Sequence, residues 1–309
     1  FEHVPSISRS SGLGRDGDTL KDHGFQDGYR EFLQNKLDAY WKRYGSPLNS
    51  AGPDSQKCEV ESNILIQFRK LREGISSSRR HDQFAIEVYE TSFRLSIIFH
   101  SHAQTTSIIS PLLPDLYLSV TPPSQASSLT VLLASLHSLE RHYPSQRAFF
   151  DLIKSLPPSF TPRDDHQVWL RELSCSLRRS GYSQFRRLTQ TATLARLATS
   201  ETYNDAPLPS GPDLTLLALQ TLVTSLRDHF RLSIWSTVRG AYREFVLPLS
   251  DTTGWLSAVL LLEPDTGRQG ARKDDDHDRV QLWFNSRESL GEVVRKDGTD
   301  GRWAVKTKK

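Results

Sequence analysis

The feature that most constrains this chain is a succession of apolar stripes at helical spacing, each closed by a short polar or proline-containing break. Tyr29, Phe32, Leu33, Leu37, Tyr40, Trp41 and Tyr44 recur three and four apart, which predicts an amphipathic helix over 27–44. Pro47, Gly52 and Pro53 then break the pattern. Ile64, Leu65, Phe68, Leu71 and Ile75 form a second stripe. Asp82 is placed to cap a third helix, whose apolar groups from Phe84 to Phe99 point nearly all round and predict a central, buried element. Further stripes run through Leu129–Leu139, Phe149–Leu156, Val168–Leu177 and Phe185–Leu197. In the third of these the expected core positions are Val168, Leu170, Leu173 and Leu177. Asp213 is a second expected cap, and helical periodicity continues from Leu214 to Phe245 with one break expected near Ser233. Helices joined by short polar turns predict an all-α, helical-repeat domain over 27–232, a TPR-like right-handed α-solenoid. No strict repeat of fixed period is present in the sequence.

The pattern changes after Leu249. A short apolar helix, Gly254 to Leu262, is followed by a charged loop from Pro264 to Asp278 and a helix from Arg279 to Glu288. Glu292-Val-Val-Arg295 and Arg302-Trp-Ala-Val-Lys306 then flank Asp297-Gly-Thr-Asp-Gly301, which predicts a β-hairpin. Helix, helix, hairpin is the order of a winged helix, so a small winged-helix module is expected over 233–309. Residues 1–26, rich in Ser, Gly and Asp, read as a disordered tail.

No stretch approaches the roughly 18 apolar residues of a membrane-spanning helix. Cys58 and Cys175 lie too far apart for a zinc ribbon and are too few for a disulfide framework, so both are expected as reduced thiols. The chain has no Met, even at position 1, which reads as a fragment or a processed product.

Local motifs for chemistry are weak. Gly12-Leu-Gly-Arg-Asp-Gly17 matches G-x-G-x-x-G, but that motif needs a preceding strand and a following helix, and neither is expected here. Asp274, Asp275, Asp276, His277 and Asp278 offer metal-type oxygens without the glycine turn and closing Glu of an EF-hand. His100 and His102 stand two apart at a helix end, a spacing that points them away from each other. G-x-S-x-G, P-loop and H-E-x-x-H motifs are absent from the sequence. The chain therefore reads as a non-enzyme without a cofactor, and a helical hydrolase or transferase is the reading from a different class.

The basic residues are more informative. Arg171, Arg178, Arg179, Arg186, Arg187 and Arg196 stud neighbouring helices. Residues 295–309 hold six Lys or Arg against two Asp, although the whole chain carries only +3. Arg287, Arg295, Lys296, Arg302, Lys306 and Lys308 on and around the hairpin are candidate phosphate contacts, with a solvated basic tail as the plainer alternative. Trp303 is either a base-stacking platform or part of the hairpin's own core.

Three segments carry a family resemblance. Gln67-Phe-Arg-Lys-Leu-Arg-Glu-Gly-Ile75, followed by Phe84-Ala-Ile-Glu-Val-Tyr-Glu90 and Arg94-Leu95, resembles the opening helices of the GANP-type mRNA-export family of PCI-domain proteins. Ser180-Gly-Tyr-Ser-Gln-Phe185 is similar to that family's G-N-Y-x-x-F turn, and Val238-Arg-Gly-Ala-Tyr-Arg243 to its K-A-Y-R helix. Glu73 stands where the family carries Asp, and the loop 264–278 is longer than its counterpart. The resemblance implies helical repeats capped by a winged helix, and a non-catalytic, mainly nuclear subunit of a hetero-oligomer. The implied partners are other PCI subunits, a small acidic protein, and RNA or DNA, with no membrane. A subunit of the proteasome lid, the COP9 signalosome or translation initiation factor 3, acting by protein contacts alone, is the alternative within the fold.

Overall fold

A computed structural model describes residues 1, 2, 4, 19–45, 54–120, 125–160, 162–199, 212–247, 250–262, 273–296 and 301–306. The described chain is mostly helical and carries a small antiparallel sheet near its C-terminal end. The glycine motif at 12–17, the hairpin turn 297–300 and Lys308 lie outside the described residues. Contacts divide the chain into two units. Phe1–Ser135, Phe150–Arg163 and Ala198–Leu222 make the first; Leu136–Phe149, Asp164–Leu197 and Val223–Lys309 make the second.

The first unit begins with α1 (His23–Tyr44), α2 (Ser55–Ser78), α3 (Gln83–Ile98) and α4 (His102–Pro111), each packed on the next. Three aspartates start the first three helices. Asp22 accepts from the Phe25 amide at 2.7 Å, Asp54 from Gln56 at 2.9 Å and Asp82 from Ala85 at 2.9 Å. The Arg80 guanidinium then ties two helix starts together. It bonds Asp82 at 2.7 Å and Asp27 at 2.8 Å, and lies over the Phe84 ring at 3.8 Å. α3 is buried over most of its surface, as apolar groups pointing nearly all round it predict. It carries one buried carboxylate, Glu90, which accepts from Thr130 at 2.8 Å, from Arg94 at 3.1 Å and from the Tyr117 hydroxyl. Burial, with that carboxylate beside it, pushes the Tyr117 phenol well above its ordinary range. Tyr117 sits in α5 (Tyr117–Ser119), ahead of α6 (Gln125–Arg141) and α7 (Arg147–Ser155).

Residues 19–26, expected as part of a disordered tail over 1–26, are ordered. Thr19–Lys21 form a 3-10 turn and α1 starts at His23. Leu20 is fully buried, and its carbonyl accepts from Gln26 Nε2 at 2.8 Å. An apolar anchor of one residue is invisible to periodicity, which needs several turns. α2 makes room for it at Gly74, where an added Cβ would meet the Leu20 carbonyl oxygen at 2.6 Å.

The second unit holds the end of α6, then α8 (Asp164–Arg178), α9 (Tyr182–Leu188) and α10 (Thr191–Ala198). The stripe of α8 is Trp169, Leu170, Leu173 and Leu177; Val168 faces solvent, one residue out of phase with the expectation. Trp169 wins that place because its indole also donates to the Leu188 carbonyl at 2.9 Å. α11 (Leu214–Ala241) is continuous across Ser233, contrary to the expected break. Neither Pro nor Gly interrupts the turn around Ser233, so the i to i+4 ladder has no reason to open there. Asp213 caps α11 as expected, accepting from Thr215 and Leu216.

After α11 comes β1 (Glu244–Val246), where helical periodicity had extended through Phe245. The chain leaves the helix at Tyr242 because Phe245 is drawn into a ladder opposite Trp303. α12 (Ser250–Val259) and α13 (Lys273–Ser289) follow, then β2 (Val293–Arg295) and β3 (Arg302–Val305). The sheet order is β1-β3-β2 and every pair is antiparallel. The hairpin is the predicted one, with Val293 opposite Val305 and Arg295 opposite Trp303. α13 starts within the stretch expected as loop, and α12 earlier than Gly254. Asp276 explains the former: near the helix start it complements the dipole, and its carboxylate accepts from Ser257 at 3.0 Å and Arg279 at 3.3 Å.

Replacing an ordinary helical glycine by Ala stabilises a helix by about 1 kcal/mol. Gly74→Ala is expected to do the opposite, lowering unfolding free energy by about 1–3 kcal/mol in chemical denaturation, because the facing atom is backbone and cannot swing aside.

Candidate nucleic-acid interface

The candidate interface is the part of the second unit built on the C-terminal half of α11. Its core is aromatic. Trp235 from α11, Phe284 from α13, Phe245 from β1 and Trp303 from β3 are all buried. Phe284 lies 5.5 Å from each of the other three, ring centre to ring centre. The alternation of β3 sends Trp303 inward with Val305 and leaves Arg302 outward. At 1% exposure Trp303 offers no ring face to a base, so its role as a stacking platform is corrected: it is the core of its own sheet.

Around this core the charges are tied to one another. The Glu292 carboxylate accepts from Trp235 Nε1 at 2.8 Å and from Arg239 at 2.6 Å, with Arg287 at 3.7 Å. Arg239 also donates to the Lys306 carbonyl at 2.8 Å, and the Lys306 amide donates to the Glu292 carbonyl at 2.9 Å. Arg287 lies over the Trp283 ring at 4.1 Å. About two turns earlier on α11 the same device recurs: Arg231 donates to the carbonyls of Leu260 at 2.7 Å and Leu261 at 2.9 Å, closing the end of α12. Burial lowers the pKa of Arg231, with Asp228 opposing the shift. At β1, Glu244 accepts from Lys296 at 2.7 Å and lies 3.7 Å from Arg302. The Lys296 bond holds the Glu244 carboxyl below its usual range.

Of the expected phosphate contacts, Arg295, Lys296, Arg302 and Lys306 are exposed around the sheet, while Arg287 is half-buried against Trp283 and Glu292. Lys296 and Arg302 share Glu244, so their positive charge is partly neutralised from within. Arg171, Arg178, Arg179, Arg186, Arg187 and Arg196 are all exposed, on α8, α9, α10 and the turn after α8. α9 packs on α12, which brings part of that set to the sheet-bearing half of the unit. A cleft of about 430 Å³ lies between α11 and the strands, lined by Leu232, Trp235, Arg239, Arg287, Glu292 and Lys306 among others. Glu244 and Glu292 carried no signal in the sequence. Each is a lone acid in a charged region, and its meaning comes from partners some fifty residues away.

Asp276 from the acidic run is bound to Ser257 and Arg279. Cys58 and Cys175 are both free thiols. His100 adopts a left-handed backbone at φ 53 after the end of α3, and His102 opens α4. Among the described residues no helix is long and apolar enough to cross a membrane.

No family model, curated protein or solved structure matches the chain. The described chain is mostly helical, and its second unit ends in a three-stranded antiparallel sheet held to a long helix by one carboxylate.

Glu292→Ala leaves the Trp235 indole and the Arg239 guanidinium short of an acceptor. The expected cost is about 2–3 kcal/mol, read by chemical denaturation, with a red-shifted tryptophan emission before global unfolding.

Proposed function

We propose that this chain is a non-catalytic scaffold subunit of the PCI type, resembling the GANP-type branch. In this reading it binds partner proteins through its helices, and RNA or DNA through a basic winged helix. The single observation that carries the reading is topological. Helix, strand, helix, helix, strand, strand, with the first strand pairing the last in the order β1-β3-β2, is the connectivity of a winged helix. β1 was not anticipated from sequence, so it supports the reading independently of the resemblance. In the first unit, four helices each packed on the next are in keeping with a helical-repeat domain. The proposed nucleic-acid contacts are Arg295, Lys296, Arg302 and Lys306, with Lys308 beyond the described residues. The exposed arginines of α8, α9 and α10 extend the basic surface. A nuclear place in mRNA export or transcription-coupled processing follows from the resemblance. A small acidic partner and a second PCI subunit follow from it too.

One observation favours the second reading, a PCI subunit of the proteasome lid, signalosome or initiation factor 3 working by protein contacts alone. Glu244 occupies Lys296 and Arg302, and Glu292 occupies Arg287 and Arg239, so much of the winged module's positive charge is answered inside the protein.

Glu244 also makes the two readings separable. With labelled single-stranded RNA, the leading reading predicts affinity that falls steeply with salt, by about −0.7 in log–log slope per phosphate contacted. Lys296→Glu with Arg302→Glu is expected to weaken binding about tenfold or more, and Glu244→Gln, which releases both cations, to strengthen it. Absence of binding at low salt, or indifference to all three changes, removes the nucleic-acid half of the proposal.

A further inference from the structure

The aromatic core of the second unit extends to its surface through Tyr242. This residue follows α11 and is 46% exposed, and Trp255 in α12 is 37% exposed. Their ring centres lie 5.4 Å apart, with planes tilted by 58°. Tyr242 also lies 5.5 Å from Phe245, a buried member of the aromatic core. The backbone beneath both rings is held. The Tyr242 amide donates to the Val238 carbonyl at 3.0 Å, and the Val305 amide of β3 donates to the Arg243 carbonyl at 2.9 Å. Leu256 and Ser257, next to Trp255, are fully buried. Rings already held in place lose little freedom on taking a ligand.

Cations stand beside the pair. Arg243 is exposed, and the Val305 bond brings the end of β3, with exposed Lys306, alongside it. Glu244, the next residue, is answered by Lys296 and Arg302, and Asp251 is an exposed acid one turn before Trp255. Flat exposed rings beside cations fit a polyanion whose units themselves carry flat rings. We infer that Tyr242 and Trp255 are the stacking platform for unpaired bases of a single-stranded nucleic acid, whose phosphates lie along Arg243 and Lys306. The inference rests on the nucleic-acid reading above, and it supplies the stacking element that the burial of Trp303 removes. A base cannot slip between rings 5.4 Å apart, since insertion needs about 7 Å, twice the roughly 3.4 Å rise of stacked bases. Each ring instead offers its outer face, so the pair takes bases that are splayed apart, as in a single strand and not in a duplex. A protein partner fits less well. A specific interface buries about 800 Å² on each side. Among the described residues of α12 and of the last two turns of α11, Trp255 is the only large apolar side chain exposed.

The test uses the full chain with a labelled single-stranded oligouridylate and an abasic sugar–phosphate strand of the same length and charge. The oligouridylate is expected to bind more tightly, because it alone has rings to stack. Trp255→Ala and Tyr242→Ala are each expected to weaken its binding about tenfold, as loss of one base–aromatic stack does. The salt slope should stay unchanged, since no phosphate contact is lost. Trp255→Phe keeps a ring and should keep most of the affinity, and none of these changes should alter binding of the abasic strand. Oligouridylate is also expected to quench tryptophan emission of the native chain, and less so in Trp255→Phe, which reads the stack even if an Ala variant fails to fold. Equal affinity for the two strands, native affinity in both Ala variants, or unquenched emission at saturation overturns the platform and leaves the nucleic-acid reading standing. Absence of oligouridylate binding at low salt overturns both.

Discussion

The Glu292 carboxylate accepts one hydrogen bond from the Trp235 indole and another from the Arg239 guanidinium, and Arg287 lies beside it. Those donors stand on α11 and α13, while Glu292 opens β2, so one side chain fixes where the last strands meet the long helix. Arg239 continues the link to the Lys306 carbonyl at the end of β3. The aromatic core of Trp235, Phe245, Phe284 and Trp303 supplies the apolar burial that makes this place worth occupying. It is non-directional, however, and would tolerate a sheet turned or shifted against the helix. The carboxylate is directional, and it selects one register.

The same economy governs the surface. Arginines of the second unit act first as structural donors. Arg227 reaches Thr189 after α9, Arg231 closes α12, and Arg239 and Arg287 hold Glu292. What remains for an external anion is the outer ring of Arg295, Lys296, Arg302 and Lys306, together with the exposed arginines of α8, α9 and α10. Glu244 divides its charge between two of the ring's members. A weak, salt-sensitive contact with a polyanion is the behaviour such a surface supports.

Much of the helical framework was legible because its cause is local. The expected caps Asp82 and Asp213 accept from amides two or three residues on, and the stripes of α2, α3 and α6 bury the residues their spacing implies. The terminal hairpin was legible for the same reason, through two β-branched runs around a glycine-containing turn. Features fixed by distant residues were not. Trp169 displaces Val168 from the α8 stripe because its indole meets Leu188. Phe245 falls in phase with the helix before it, and only Trp303 draws it into a strand. Leu20 becomes an anchor because Gly74 leaves space for its carbonyl. Arg295, Lys296, Arg302 and Lys306 are exposed, as their basic character leads one to expect. Glu244 and Glu292 were not anticipated, so sequence alone overstates the charge available to a ligand. Trp303 shows the same limit, since strand alternation places it inward whatever its chemistry would allow.

Hydrogen exchange of the native chain tests most directly whether helix and sheet form one interlocked element. The amides of Leu247, Val305 and Lys306 donate to Gly301, Arg243 and Glu292 across the strands and their flanks. If the Glu292 tie and the aromatic core bind the sheet to α11, those amides exchange as slowly as the α11 amides around Phe230 and Trp235, in one cooperative step. Exchange of the strand amides within seconds, while α11 stays protected, would show that the sheet opens on its own and would contradict the account.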